Sequence, residues 1–423
     1  MVTGLAAPAS VGQRLLWMVQ RHRSQTTTLS CPLLCRMRGP LDVARLAAAI
    51  DALVGRHEAL RTTFAGRGHQ LTQIIGDPAP LRPRTVAATE ASLPDEVARE
   101  LGTPLDPHEE PVRATLWRLT AGDHLLCLNM HHLVTDAWSC GVLFRELRAL
   151  YSGAPVGALG PAPWQYREFV TWQEELLAGD GLARQRQYWL RRLDGARTVA
   201  LPGPAAAPAP AGPAGVARAD IPPAVTAAIR ELARARGTTP FTVLLATFYA
   251  RLAHLTGQRD LVVASLFANR VRPPARGTVG FLANMVLLRG AVPAGASFAE
   301  LVSQAHGTVV GAFAHQELPF QLLPPDTVTA AGGARPDDVV FQVMTDTPHR
   351  GAAGGVDFEL LVPEGIGSRF RFELTVVPVA DGLRALLFYA TDRVDPVTAE
   401  RFVADYAAAA EAAAAHPNAP LPR

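Results

Sequence analysis

Residues 125–139 read LLCLNMHHLVTDAWS, and the reading of that stretch decides how the chain is organised. The apolar run predicts a strand over 124–132, in which successive side chains point to opposite faces. Leu126, Leu128, Met130 and His132 then share one side, and Leu125, Cys127, Asn129 and His131 share the other. Two adjacent histidines at a strand end do not both face one substrate, so one is placed for reaction and the other for structure. A turn follows, with Asp136 four residues beyond His132, and a helix begins near Ser139. A strand end that enters a loop and then a helix is a usual place for chemistry in layered α/β folds. Histidine accepts a proton at neutral pH because its unperturbed pKa lies near about 6.5. Asp136 is open to three readings: receiving the attacking proton, acting as a nucleophile, or holding the loop. A metal site made of His131, His132 and Asp136 is the weaker alternative, because strand parity separates the two imidazoles. A satisfied structural histidine is the plain alternative, and residue chemistry by itself does not choose.

Outward from this stretch, the pattern alternates between strand and helix. A strand is predicted over 112–119, and helical spacing over 139–151 puts Leu143, Leu147 and Leu150 on one side. Upstream, Asp42 precedes Val43, Leu46, Ala47, Ile50, Leu53 and Val54, one apolar helix face with a capping residue in front of it. Downstream, a helical region over 165–193 is interrupted near Gly179 and Gly181. Residues 201–216, almost all Pro, Ala and Gly, read as a connector. Helices then follow at 223–236 and from Thr239-Pro240, where proline opens the helix. Strands are predicted at 261–267, 283–292, 339–345, 370–379 and 383–390, and Asp395-Pro396 opens a last Ala-rich helix to about residue 415. This alternation supports α/β layers.

Composition bounds the possibilities. The 423 residues allow two or three structural units. Hydrophobic residues make up 48% and charged residues 18%, which is a globular balance. The net charge of +2 comes from arginines alone, since the chain has no lysine, and they are too scattered for a nucleic-acid footprint. Met1–Ala9 lacks the basic and apolar regions of a signal peptide, and no apolar run is long enough for a membrane helix. Cys31, Cys35, Cys127 and Cys140 lack the spacing of a zinc site. A cytoplasmic, reduced protein without membrane or nucleic-acid partners is the expectation.

Several further elements carry a resemblance. The HHLVTDA of 131–137 resembles the HHxxxDG signature of nonribosomal peptide synthetase condensation domains, in the chloramphenicol-acetyltransferase-like superfamily. SVGQRLLW at 10–17 is similar to that family's SxxQxRLW opening, and RHEALRTTF at 56–64 to its RHExLRTxF element. YREFVTW at 166–172 resembles YxDFAxW, while ANR at 268–270 and VGFLAN at 279–284 resemble the ANR and GFFVNT pair. HQELPF at 315–320 resembles HQxxPFE, and weaker likeness continues through FQVM at 341–344 and FEL at 372–374.

The resemblance implies an α/β fold of two acetyltransferase-like lobes arranged in a V, residues 1–175 and 176–423, with an active-site tunnel between them. It implies that His132 is catalytic and His131 structural. Asp136 becomes the partner of an arginine, with Arg270 on the second lobe favoured and Arg61 the alternative. Ala137 stands where the family has glycine. Its backbone N–H remains able to serve a tetrahedral oxyanion, but a positive φ there would cost about 1–3 kcal/mol, and its methyl narrows the tunnel floor. Asn284 and Gln316 fit polar positions near the tunnel. Trp138 reads as core packing rather than a substrate platform, and Ser139 as the helix cap or a substrate contact. The implied function is condensation of a carrier-bound acyl or aminoacyl thioester with an amine or hydroxyl. The phosphopantetheine arm comes from an acyl or peptidyl carrier protein, and no cofactor or metal is bound. The alternatives are transfer from coenzyme A or a carrier onto a free small molecule, and a non-catalytic module that recruits tailoring oxidases.

Overall fold

A computed structural model describes residues 4–22, 27–67, 70–160, 163–203, 214–331, 333–344, 349–362, 370–379 and 382–421. In chain order the first elements are β1 (Leu5–Pro8), α1 (Val11–His22), β2 (Leu33–Arg38), α2 (Val43–Arg56), β3 (Thr62–Arg67) and β4 (Gln70–Ile75). Then come β5 (Arg84–Ala87), α3 (Leu93–Leu101), β6 (Val112–Thr120), β7 (Asp123–Met130), α4 (Ala137–Tyr151), α5 (Tyr166–Ala178) and α6 (Gly181–Arg192). The chain continues through β8 (Ala214–Ile221), α7 (Pro223–Ala235), α8 (Pro240–Thr256), β9 (Asp260–Phe267), β10 (Asn284–Ala291), α9 (Phe298–Ala314) and β11 (Val339–Val343). It closes with β12 (Arg350–Ala353), β13 (Val356–Leu361), β14 (Phe372–Val379), β15 (Gly382–Ala390) and α10 (Pro396–Ala415). Among the described residues no helix is long and apolar enough to cross a membrane.

These elements gather into two compact units. One holds Met1–Gly179, Ala268–Ala283 and Thr347–Ile366; the other holds Asp180–Phe267, Asn284–Asp346 and Gly367–Arg423. The division is thus discontinuous in sequence, unlike the contiguous 1–175 and 176–423 lobes expected. Arg270 falls in the first unit rather than the second, because Ala275, Val279, Phe281 and Leu282 of its segment are buried in the first unit's core.

In the first unit a six-stranded sheet runs β12-β13-β2-β7-β6-β5, beside a three-stranded sheet β1-β4-β3. Strand β7 lies between β2 and β6, antiparallel to both, with Leu128 opposite Leu33 on one side and Ala114 on the other. Its two faces enter different clusters. Leu126, Leu128 and Met130 pack with Leu143, Phe144 and Leu147 of α4, while Leu125 and Cys127 pack with Trp117 and with Leu93 and Leu101 of α3. Each fully buried Leu contributes roughly 1.5–3 kcal/mol, so the register that leads to the histidines is strongly determined. The strand ends at Met130, two residues before the predicted end, and the histidines lie in the turn that follows. Helix α4 begins at Ala137 rather than near Ser139.

The second unit is built on the sheet β10-β9-β11-β14-β15-β8, in which β11 runs parallel to β14 and the β9–β10, β14–β15 and β15–β8 pairs are antiparallel. Proline opens α8 and α10, whose N-caps Thr239 and Asp395 accept from the backbone three residues on. Of the predicted connector, residues 204–213 lie outside the described residues. Its end is corrected, because Ala214, Gly215 and Val216 pair with Ala390, Tyr389 and Phe388 as the start of β8. Pairing with β15, rather than the propensity of these small residues, makes that segment a strand.

Candidate functional site

The turn after β7 is held by backbone bonds from both flanks. The His131 N–H donates to the Pro111 carbonyl at 2.8 Å, and the His132 N–H to the Leu29 carbonyl at 2.7 Å. The imidazoles then diverge. His131 is buried, and its Nδ1 accepts from the Leu133 N–H at 3.0 Å, so the neutral ring carries its proton on Nε2, 3.4 Å from Gln20 Oε1. Burial depresses the His131 pKa to about 4. His132 is only partly buried. Its Nδ1 lies 3.2 Å from the Thr135 carbonyl, which can only accept, so Nδ1 carries the proton and Nε2 is the basic nitrogen of the neutral ring.

The depressed His131 pKa gives a stability prediction. Below about pH 6.5 the unfolded chain takes up a proton at this residue that the folded chain refuses. The contribution is therefore complete above about pH 6.5 and drains as pH falls towards 4, by up to about 3 kcal/mol. Urea unfolding of the wild type and of His131→Gln across this range tests it: the variant is expected to lose a good part of the slope, and parallel curves refute the assignment.

Asp136 is the anchor of the turn. As N-cap of α4 its Oδ1 accepts from the Ser139 N–H at 2.8 Å. Arg270 binds it in a fork, with Nη2 to Oδ1 and Nη1 to Oδ2, both 2.9 Å, and the two side chains are 2% and 3% exposed. The backbone N–H groups of Leu282 and Ala283 donate to Oδ2, each at 3.0 Å. With the Ser139 hydroxyl 2.7 Å from Oδ1, the carboxylate accepts six hydrogen bonds. A carboxylate offers about four lone-pair sites, so this one is used up in holding the loop. The Ser139 hydroxyl also accepts from Arg270 Nη2 at 2.9 Å and from the Gly280 N–H at 3.1 Å. Ser139 is therefore not the helix cap; Asp136 is, and Ser139 sits three residues further in, buried within the cluster.

Ala137 is the first residue of α4 and exposed. Among the described non-glycine residues only Asn269 has a positive φ, so alanine at 137 carries no left-handed strain. Trp138 is not core: it is 42% exposed, its indole donates to the Arg276 carbonyl at 3.0 Å, and Arg270 lies 5.8 Å from its ring centre. Two residues in the first helical turn point outward because Ser139 and Cys140 take the inward positions. Arg61 donates instead to the Gly76 carbonyl at 3.0 Å, so the arginine on Asp136 is Arg270. Asn284 and Gln316 belong to the second unit, where the Asn284 amide donates to the Gln316 carbonyl at 2.6 Å and the Gln316 amide to the Phe313 carbonyl at 2.9 Å.

The structure therefore brings His131, His132, Asp136, Ala137, Trp138, Ser139 and Arg270 into one turn-and-strap arrangement. It adds residues to which the sequence assigned no role. Phe281 lies edge-on to His132, with ring centres 5.8 Å apart at 75°. The Thr135 carbonyl sets the tautomer, and the 279–284 strap supplies the two N–H groups on Asp136. The signal was present in the VGFLAN element, but a backbone donor leaves no mark in side-chain identity.

Comparisons with known proteins assign the chain to a family. The family profile described as Condensation domain matches residues 6–423. The phosphinothricin tripeptide synthetase PhsC of Streptomyces viridochromogenes is 32% identical over 433 residues, covering 97% of this chain and 39% of that protein. The nonribosomal peptide synthetase kk1B of Curvularia clavata is 32% identical over 431 residues, covering 97% of this chain and 3% of that protein. The chain belongs to the condensation domain family. It spans well under half the length of either synthetase. Among solved structures, the SgcC5 protein from Streptomyces globisporus, in complex with (R)-(-)-1-(2-naphthyl)-1,2-ethanediol and sucrose, is 26% identical with a TM-score of 0.83, covering 98% of this chain and 100% of that one. The X-domain in its complex with OxyB from teicoplanin biosynthesis is 25% identical with a TM-score of 0.81, covering 100% and 96%.

Proposed function

We propose that the chain is an acyltransferase that joins a carrier-bound acyl or aminoacyl thioester to an amine or hydroxyl, forming an amide or ester in nonribosomal peptide or related biosynthesis. The observation that carries this reading is the fixed tautomer of His132, which presents Nε2 as a base on a turn locked by Asp136 and Arg270. Thioester aminolysis is downhill, so what is required is positioning and charge stabilisation in the transition state. Nε2 accepts a hydrogen bond from the attacking amine or hydroxyl, orients its lone pair, and takes the proton as the tetrahedral intermediate forms. The backbone N–H of Ala137, the first residue of α4, serves as a donor to the oxyanion. The donor arm is the phosphopantetheine of a partner carrier protein.

The family resemblance supports carrier-bound partners. The diol bound by SgcC5, a protein matched from end to end, favours a hydroxyl acceptor among the options, including a free small molecule. A second reading rests on the likeness to the X-domain, whose partner is OxyB: a module that recruits rather than catalyses. A condensation assay with acyl-loaded carrier proteins, coenzyme A thioesters, and free or carrier-bound acceptors, read by intact-protein mass spectrometry, separates the readings. Product formation that depends on His132 supports the transferase. Binding of an oxidase with no turnover on any pair supports the recruiter.

Because alanine sits unstrained at 137, its effect is steric. Ala137→Gly is expected to shift the kcat/KM ratio between bulky and small acceptors by up to about tenfold, at under about 1 kcal/mol of helix stability. Unchanged ratios with every acceptor reject the steric role.

A further inference from the structure

The hydrogen bond at Nδ1, 3.2 Å long, fixes the tautomer of His132 but only loosely fixes the tilt of its ring. Phe281 lies edge-on to the imidazole, at 5.8 Å between centres. The Phe281 ring sits tightly against Gly12. A Cβ on Gly12, in the first turn of α1, would lie 3.0 Å from both Cδ1 and Cε1 of the Phe281 ring. That ring therefore lies close against the first turn of α1 at Gly12.

The backbone of Phe281 is pinned as well. The Tyr166 hydroxyl donates to the Phe281 carbonyl at 2.8 Å, and its oxygen lies 2.7 Å from Ser10 Oγ. With Tyr166's one proton spent on the carbonyl, the Ser10 hydroxyl donates to Tyr166, and Ser10 Oγ in turn accepts from the Gln13 N–H at 3.0 Å. Burial pushes the Tyr166 phenol up, which keeps it a protonated donor. Gly280 makes the approach of Tyr166 possible: its φ is +155°, and a Cβ there would fall 2.0 Å from Tyr166 Cδ2. On the far side, Leu282 and Ala283 donate to Asp136. The strap is thus fixed on both sides of the residue whose ring meets His132.

We infer that Phe281 is a positioning residue that sets the ring orientation of His132, and that Tyr166, through the Phe281 carbonyl, and the close packing at Gly12 hold it there. The inference rests on the transferase reading for its catalytic consequence, but the orientation of the imidazole is measurable without it. The plain alternative is that Phe281 is ordinary core, in which case its removal costs stability and leaves the imidazole as it was.

The test uses the whole chain labelled with 13C and 15N in histidine, with the His132 signals assigned by their loss in His132→Gln. Wild type is expected to show one dominant tautomer protonated on Nδ1. Phe281→Leu and Gly12→Ala are expected to show exchange-broadened or averaged His132 ring signals, and Phe281→Tyr, which keeps the ring edge, to restore the wild-type pattern. In the condensation assay, an edge-to-face contact of ordinary strength predicts that kcat falls about two- to tenfold in Phe281→Leu with KM unchanged. Tyr166→Phe is expected to move in the same direction, with melting curves confirming that each variant folds. Unaltered His132 ring signals and an unaltered kcat in folded Phe281→Leu and Gly12→Ala overturn the inference. The two failures separate: wild-type turnover in His132→Ala overturns the catalytic role of the imidazole, whereas His132-dependent turnover that is indifferent to Phe281 overturns the positioning role alone.

Discussion

His132→Ala is expected to lower condensation turnover by about 10²- to 10⁴-fold, the usual worth of a positioned general base. The melting temperature is expected to stay close to that of the wild type. The ring is only partly buried, and the contacts described for it are the 3.2 Å hydrogen bond to the neutral Thr135 carbonyl and the edge of Phe281. The turn itself is carried by main-chain bonds to Pro111 and Leu29 and by Asp136, none of which the substitution touches. His131→Ala should give the opposite pattern, with lower stability and smaller kinetic loss, because that ring is buried and accepts from the Leu133 N–H. Turnover near wild type in His132→Ala, on every acyl donor and acceptor pair that the wild type uses, would remove His132 from the mechanism.

The largest expected loss of stability lies at Asp136. Asp136→Ala leaves the Arg270 guanidinium buried without its counter-charge and takes the acceptor from three backbone N–H groups, those of Ser139, Leu282 and Ala283. Breaking a buried pair by removing one partner costs about 3–5 kcal/mol, and the orphaned donors add to it. Arg270→Leu should cost a similar amount, since it leaves the carboxylate buried. The double variant Asp136→Ala with Arg270→Leu should recover part of the loss, because no unpaired charge remains. A thermodynamic cycle by chemical denaturation measures this coupling. Additive losses from the two single substitutions would show that the ion pair is not what holds the turn. Activity is expected to fall in all three, because the loop that carries His132 loses its anchor even where the fold survives.

The strand that leads to the histidines was legible because its alternation has physical consequences. Leu126, Leu128 and Met130 enter one cluster and Leu125 and Cys127 another, as the period of two dictates. Helix starts at Asp42, Thr239 and Asp395 were legible because a capping side chain has a local reason to be there. Strand β2, with the sequence LLCRMR, was not: its residues are buried along nearly their whole length, so no alternation marks them. Strand β13 was missed because its partner β2 lies more than 300 residues away in sequence, and β12 with it, because β12 pairs with β13. At the site, residue types suggested the imidazole and the carboxylate, and the family resemblance added the arginine. Three residues depart from expectation for positional reasons. Ser139 and Asp136 are both good caps, and only geometry shows which one accepts. Trp138 has the size of a core residue, yet it occupies an outward position in the first helical turn. Arg270 was placed by its neighbours in sequence, whereas the apolar residues after it decide to which unit it belongs.

The discontinuity of the first unit governs how such a chain can be cut and recombined. The first unit is assembled from three pieces of sequence, and the two short ones carry indispensable parts: 268–283 brings Arg270 and the donors to Asp136, and 347–366 brings the strands that cover the open side of β2. A fragment truncated after residue 179 would carry a buried aspartate with no counter-charge and a bare apolar sheet edge prone to self-pairing. Exchange of this unit between homologous chains therefore needs crossovers placed so that all three pieces come from one parent, and a chimera with a single crossover near the middle mixes parents inside one core.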